Sequence, residues 1–180
     1  MACILTQGFT TSCLDGVGGI SEVFVANWDN FDSGITTDPT SGEIDALPTA
    51  TLYRYVGLKA SMSLDDTPKP SVENGTIFYE QKVAIRIGGL SSAKSKEITT
   101  LAKAKLIIFV RTNKNQILCI GKQNGAFLTG GAGGAGKALG DFNGYELEFT
   151  AEEPTMALFA EAYTAVPFDN FAGITLSPAY

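Results

Sequence analysis

Apolar and polar residues alternate most strictly over 76–87, TIFYEQKVAIRI, where Ile77, Tyr79, Val83, Ile85 and Ile87 fall on one side and Phe78, Glu80, Lys82, Ala84 and Arg86 on the other. Period-two alternation predicts a strand with one buried and one wetter face. Gln81 is the one break in the apolar face. At about 3.3 Å per residue such a strand reaches roughly 40 Å, about twice the usual length. It is long enough to project beyond the core that it serves. The preceding segment 51–65, TLYRYVGLKASMSLD, also has strand character and predicts its hairpin partner. Residues 66–75, DTPKPSVENG, hold two prolines and end in Asn-Gly, which predicts an extended tip.

The same reading predicts a second hairpin over 105–122. The unbroken apolar run Leu106 to Val110 fits a strand covered on both faces, and NKNQ supplies the turn. GYELEFTA, 144–151, alternates with Tyr145, Leu147 and Phe149 inward. Strands are also predicted over 21–31 and 155–166. One helix is predicted over 91–104: Ser91 or Ser92 can cap it, and Ile98, Leu101 and Ala102 form a stripe. The fold class that follows is mostly β with one flanking helix (α+β), as a β-sandwich or barrel. WDNFDSGIT at 28–36 echoes FDNFAGIT at 168–175, either as two similar turns or by coincidence.

Length and composition narrow this picture. The 180 residues fit one domain over 1–180, with extended segments at about 1–20 and 164–180 and a projecting hairpin around 51–87. Charged residues are 18% of the chain, where about 25% is usual. A surface so poor in charge fits burial against other subunits. The net charge is −6 with no basic cluster, which excludes a nucleic-acid grip built on phosphate neutralisation. An acidic wall can still surround DNA without holding it. There is no apolar run of membrane-spanning length and no signal-like N-terminus, which predicts cytoplasmic synthesis and no membrane binding. Of three cysteines, Cys119 sits in the strand-like QILCIG and is expected to be a buried thiol; a Cys3–Cys13 link stays open.

The chemistry-bearing motifs are few. The chain contains no histidine, which removes Ser-His-Asp and Cys-His nucleophile pairs and every His-containing metal site. Asp65–Asp66 and Glu152–Glu153 are neighbours that point to opposite faces of a strand, and they read as solvated turn residues rather than catalytic pairs. The stretch 129–141, TGGAGGAGKALGD, outlines a P-loop from Gly131 to Lys137 and a dinucleotide turn from Gly131 to Gly136. A P-loop needs a helix after it and a hydroxyl after its lysine, but Ala138 follows Lys137 and GDFNG would break a helix. The stretch is expected to be a mobile inter-strand loop. No catalytic residue, cofactor site or metal site is assigned, and the chain is not expected to be an enzyme.

Two segments carry a family resemblance. ACILTQGFTTSCLDGVGGISEVFVANWDNF near the start and GKALGDFNGYELEFTAEEPTMALF later resemble small tail structural proteins of tailed bacteriophages, the major tail tube subunit above all. The two cover about a third of the chain. The resemblance implies a virion protein that associates with itself in rings, commonly hexameric, and stacked tubes. It would contact other tail proteins and pass double-stranded DNA without sequence-specific binding. A head-to-tail connector or head decoration protein is the alternative virion role, and a monomeric β-sandwich binding module the alternative outside it. Under this reading the inter-ring contacts fall at the tip: Asp65, Asp66, Thr67, Pro68, Lys69, Pro70, Ser71, Val72, Glu73, Asn74 and Gly75. Contacts of the terminal segments fall at Phe9, Leu14, Phe168 and Phe171.

Overall fold

The computed structural model describes residues 8–10, 16–32 and 34–178. Cys3, Cys13 and Leu14 lie outside the described residues. The chain is mostly β. Its strands are β1 (Ile20–Asn27), β2 (Thr36–Thr37), β3 (Ile44–Ala46), β4 (Ala50–Tyr55), β5 (Ser63–Ser71), β6 (Thr76–Gly88), β7 (Leu106–Thr112), β8 (Ile117–Ile120), β9 (Ala126–Gly134), β10 (Gly144–Glu153), β11 (Leu158–Phe159) and β12 (Ile174–Ser177). The helix α1 (Ser92–Leu101) is capped by the Ser91 hydroxyl, which accepts from Lys94 N–H at 3.2 Å.

Ten strands form one mixed sheet in the order β12-β4-β1-β7-β9-β10-β6-β5, with β8 and β11 branching from β7. The β12–β4 pair is parallel and the others are antiparallel. The sheet bends where β7 meets β9, because those strands share only the Leu106–Ala126 register pair. Beyond the bend, β9-β10-β6-β5 folds over β1 and β7. Val23, Val25, Ile108 and Val110 therefore pack in one core with Val83, Ile85, Leu147 and Phe149. Ile98 and Leu101 of α1 close the side of this core.

A second core lies on the opposite face of β1 and β7. Phe24 and Phe109 project there and meet Phe31, Ile44, Phe168 and Phe171. The central strand β7 is thus buried on both faces, as its unbroken apolar run predicts. The echoed segments build this core in the same way. Phe31 N–H donates to Trp28 carbonyl at 2.8 Å and Phe171 N–H to Phe168 carbonyl at 3.0 Å. Each turn delivers its final Phe into the core, so the echo is two similar turns.

Four expectations change here. The segment 51–65 does not form one strand beside β6: β4 pairs with β1, and the partner of β6 is β5. The chain crosses between the halves at Gly57, where a Cβ would stand 2.9 Å from the Arg86 carbonyl. Residues 155–166 form only the two-residue β11. The terminal segment from 164 is not an arm awaiting a neighbour, since Phe168 and Phe171 lie in this chain's own core at 2% and 5% exposure. Finally, residues 129–134 of the glycine-rich stretch belong to strand β9 and not to a loop.

Strand β9 is held by its neighbour rather than by its own propensity. It pairs with β10 from Gly134–Gly144 to Ala126–Ala151. Its glycines meet close neighbours: a Cβ at Gly131 would lie 2.7 Å from the Glu146 carbonyl, and one at Gly133 would lie 3.0 Å from the Tyr145 ring. Strand glycine permits such approaches.

Candidate assembly surface

The β5–β6 hairpin outruns the core. Gln81, Val83 and Ile85 are buried, whereas Ile77 and Phe78 near the tip are 52% and 40% exposed. Gln81 is polar because it joins two loops: its side-chain amide donates to the Thr155 carbonyl, and its oxygen accepts from Gly121 N–H, both at 3.2 Å. The turn itself is Val72 to Gly75, shorter than expected, and Val72 is 94% exposed. Asp65, Asp66, Thr67, Pro68, Lys69, Pro70 and Ser71 belong to β5, so they form the shaft of the hairpin and not its tip. Asp66 is tied inward, accepting from Ala157 N–H at 2.7 Å.

Strand β5 is an edge strand, which is where proline is tolerated. Pro68 and Pro70 oppose Tyr79 and Ile77, two residues apart, so both rings replace N–H groups on the same side of β5. With β6 on one side, that side is the free one.

The outer face of β5, β6 and β10 is charged. Lys69 lies 3.2 Å from Glu80, Lys82 lies 3.9 Å from Glu80 and 3.8 Å from Glu148, and Arg86 pairs with Glu146. These exposed pairs contribute at most about 1 kcal/mol each and mainly fix register. Asp65, Glu80, Glu146, Glu148 and Glu152 outnumber Lys69, Lys82 and Arg86 on this face, leaving it acidic. Glu152 and Glu153 do point to opposite faces, but both lie in strand β10 rather than in a turn. Glu153 is buried and accepts from Gln123 N–H at 3.1 Å and Asn124 N–H at 2.7 Å. Burial pushes its carboxyl up, against the lowering effect of those bonds.

After β9 the P-loop outline closes on itself. Among the described residues no helix follows Gly136, and Asp141 accepts from Lys137 N–H at 2.7 Å and Ala138 N–H at 2.8 Å. Those are N–H groups that a bound phosphate would need, and their bonds hold the Asp141 carboxyl below the usual range. Titration with ATP or NAD is expected to give no binding heat. Saturable heat that Lys137→Ala removes would restore the nucleotide reading.

A groove of about 610 Å³ lies under α1, walled by Tyr55, Leu58, Ile87, Ile98, Leu101 and Tyr145. Burial, and Glu97 nearby, push the Tyr55 phenol up to about 12. At the rim, Lys94 Nζ donates to the Gly88 carbonyl at 2.6 Å and the Gly89 carbonyl at 3.0 Å. Sequence reasoning missed this groove because its walls come from segments far apart in the chain. It also missed the buried Glu22, which accepts from Arg54 Nε at 2.8 Å and from Arg111 Nη1 at 2.9 Å. Among the sequence-predicted contact residues, the structure gathers Val72 to Gly75 at one point. Phe9 is 97% exposed, and Phe168 and Phe171 are inside.

Among the described residues, no helix is long and apolar enough to cross a membrane. Comparison with known protein families, with curated proteins and with solved structures finds no match to the chain.

Proposed function

We propose that this chain is a virion structural subunit of the phage tail tube type, assembling with copies of itself into rings that stack around a DNA path. The observation that carries the reading is the β5–β6 hairpin, whose end stands clear of the core and leaves Val72 94%, Ile77 52% and Phe78 40% exposed among the described residues. Apolar side chains exposed at the end of a projecting element are what a contact between subunits would use. The acidic outer face of β5, β6 and β10 supports the second half of the reading. Turned toward a lumen, it would repel phosphates and let DNA slide. The role is mechanical and calls for no catalytic group. The resemblance of the two sequence segments to tail structural proteins points the same way.

Negative-stain electron microscopy of the concentrated protein is expected to show rings or tubes. A single monomeric species in light scattering at every concentration, with no assembled particles on the grid, would overturn the proposal.

A further inference from the structure

The hairpin tip and the groove under α1 occupy opposite ends of the same strand. The turn Val72 to Gly75 precedes Thr76, the first residue of β6, while Ile87 and Gly88 at its other end line the groove. The thirteen residues of β6 put about 40 Å between them at ordinary strand rise. A tip therefore cannot reach the groove of its own chain.

The two surfaces are complementary. The tip presents Val72 and Ile77 with Glu73 beside them, and Lys69 behind the turn is engaged with Glu80. The groove offers mainly apolar walls, with Arg54, Lys94 and Glu97 as its charged lining residues, and a volume in the range, about 300–1,000 Å³, that holds compact apolar groups. Its rim carries Lys94, whose ammonium uses two of its protons on the Gly88 and Gly89 carbonyls, leaving a third for an incoming acceptor.

We infer that the hairpin tip of one copy seats in the groove beneath α1 of the next copy, with Val72 and Ile77 against Leu58, Ile98 and Tyr145 and Glu73 toward Lys94. The inference rests on the proposed self-assembly and adds its axial joint. A contact between different surfaces propagates unless its rotation closes it into a ring, and surfaces at opposite ends of a long strand favour propagation. Copies joined this way repeat along the axis at about the length of β6, about 40 Å.

Disulfide trapping tests the joint. Val72→Cys and Leu58→Cys replace residues that are 94% and 47% exposed, and both are introduced with Cys3→Ser and Cys13→Ser. Under mild oxidation the doubly substituted chain is expected to give a ladder of dimers, trimers and longer species that collapses on reduction. Mixing the two singly substituted chains is expected to stop at dimers containing one of each. Glu73→Lys should weaken assembly, and Lys94→Glu in the same chain should restore it, giving a second readout if the cysteine chain folds poorly.

Tubes on the grid without a Val72–Leu58 crosslink would overturn this joint and leave the tube proposal standing. Equal trapping of two Val72→Cys tips would also overturn it. Protein that neither assembles nor crosslinks at any concentration would remove the tube proposal and the joint together.

Discussion

Phe168→Ala is expected to lower the unfolding free energy by about 3–5 kcal/mol, the range for emptying an aromatic site in a packed core. The ring sits edge-on to Phe24 at 5.1 Å and to Phe109 at 5.3 Å, and it leans on Phe171 at 6.2 Å. Those partners come from β1, β7 and the same turn, so one truncation loosens contacts to all three. The backbone adds little room for relief, because Phe168 holds φ at 68° and alanine there keeps the same unfavourable conformation. Urea melts followed by tryptophan fluorescence and circular dichroism measure the change. A loss below about 1 kcal/mol, typical of a surface position, would mean that this segment does not belong to the core.

Glu22→Gln is expected to cost about 2–3 kcal/mol. Its carboxylate lies between two guanidiniums, bonding Arg54 through Nε at 2.8 Å and Nη2 at 2.5 Å and Arg111 through Nη1 at 2.9 Å. Breaking a fully buried pair costs about 3–5 kcal/mol, but these arginine side chains are 20% and 21% exposed, so water recovers part of it. Glutamine keeps the shape and removes the negative charge that the guanidiniums of β4 and β7 share. Denaturant melts of this variant, repeated at high salt, separate the two contributions: screening should narrow the gap to the parent protein. A gap unchanged by salt and below about 0.5 kcal/mol would show that the three charges do not act together.

Much of the fold was legible where one physical signal dominated. Alternation located β6 and β10, the apolar run located β7 with both faces covered, and Ser91 marked the start of α1. The failures share a cause, which is that pairing partners overrode local preference. Glycines over 130–134 read as loop by composition, yet β10 supplies a full ladder beside them. Strand β4 and strand β5 look like one continuous segment, because nothing local says that the chain changes partner at Gly57. Phe168 and Phe171 have no period to mark them as core, since a turn rather than a helix or strand carries them inward. Of the candidate surface, the projecting hairpin was visible from strand length alone. The groove was not, being made by segments that meet only after folding.

Pro68 and Pro70 bear on what the exposed edge of β5 can do in solution. A long bare edge strand is a template for side-by-side aggregation, since any extended segment can pair with its open row of donors. Along β5 that row is interrupted at two alternate positions. Side-by-side pairing along this edge is thereby hindered while the turn at Val72 stays exposed, so the strand that projects furthest from the core carries its own safeguard against aggregation.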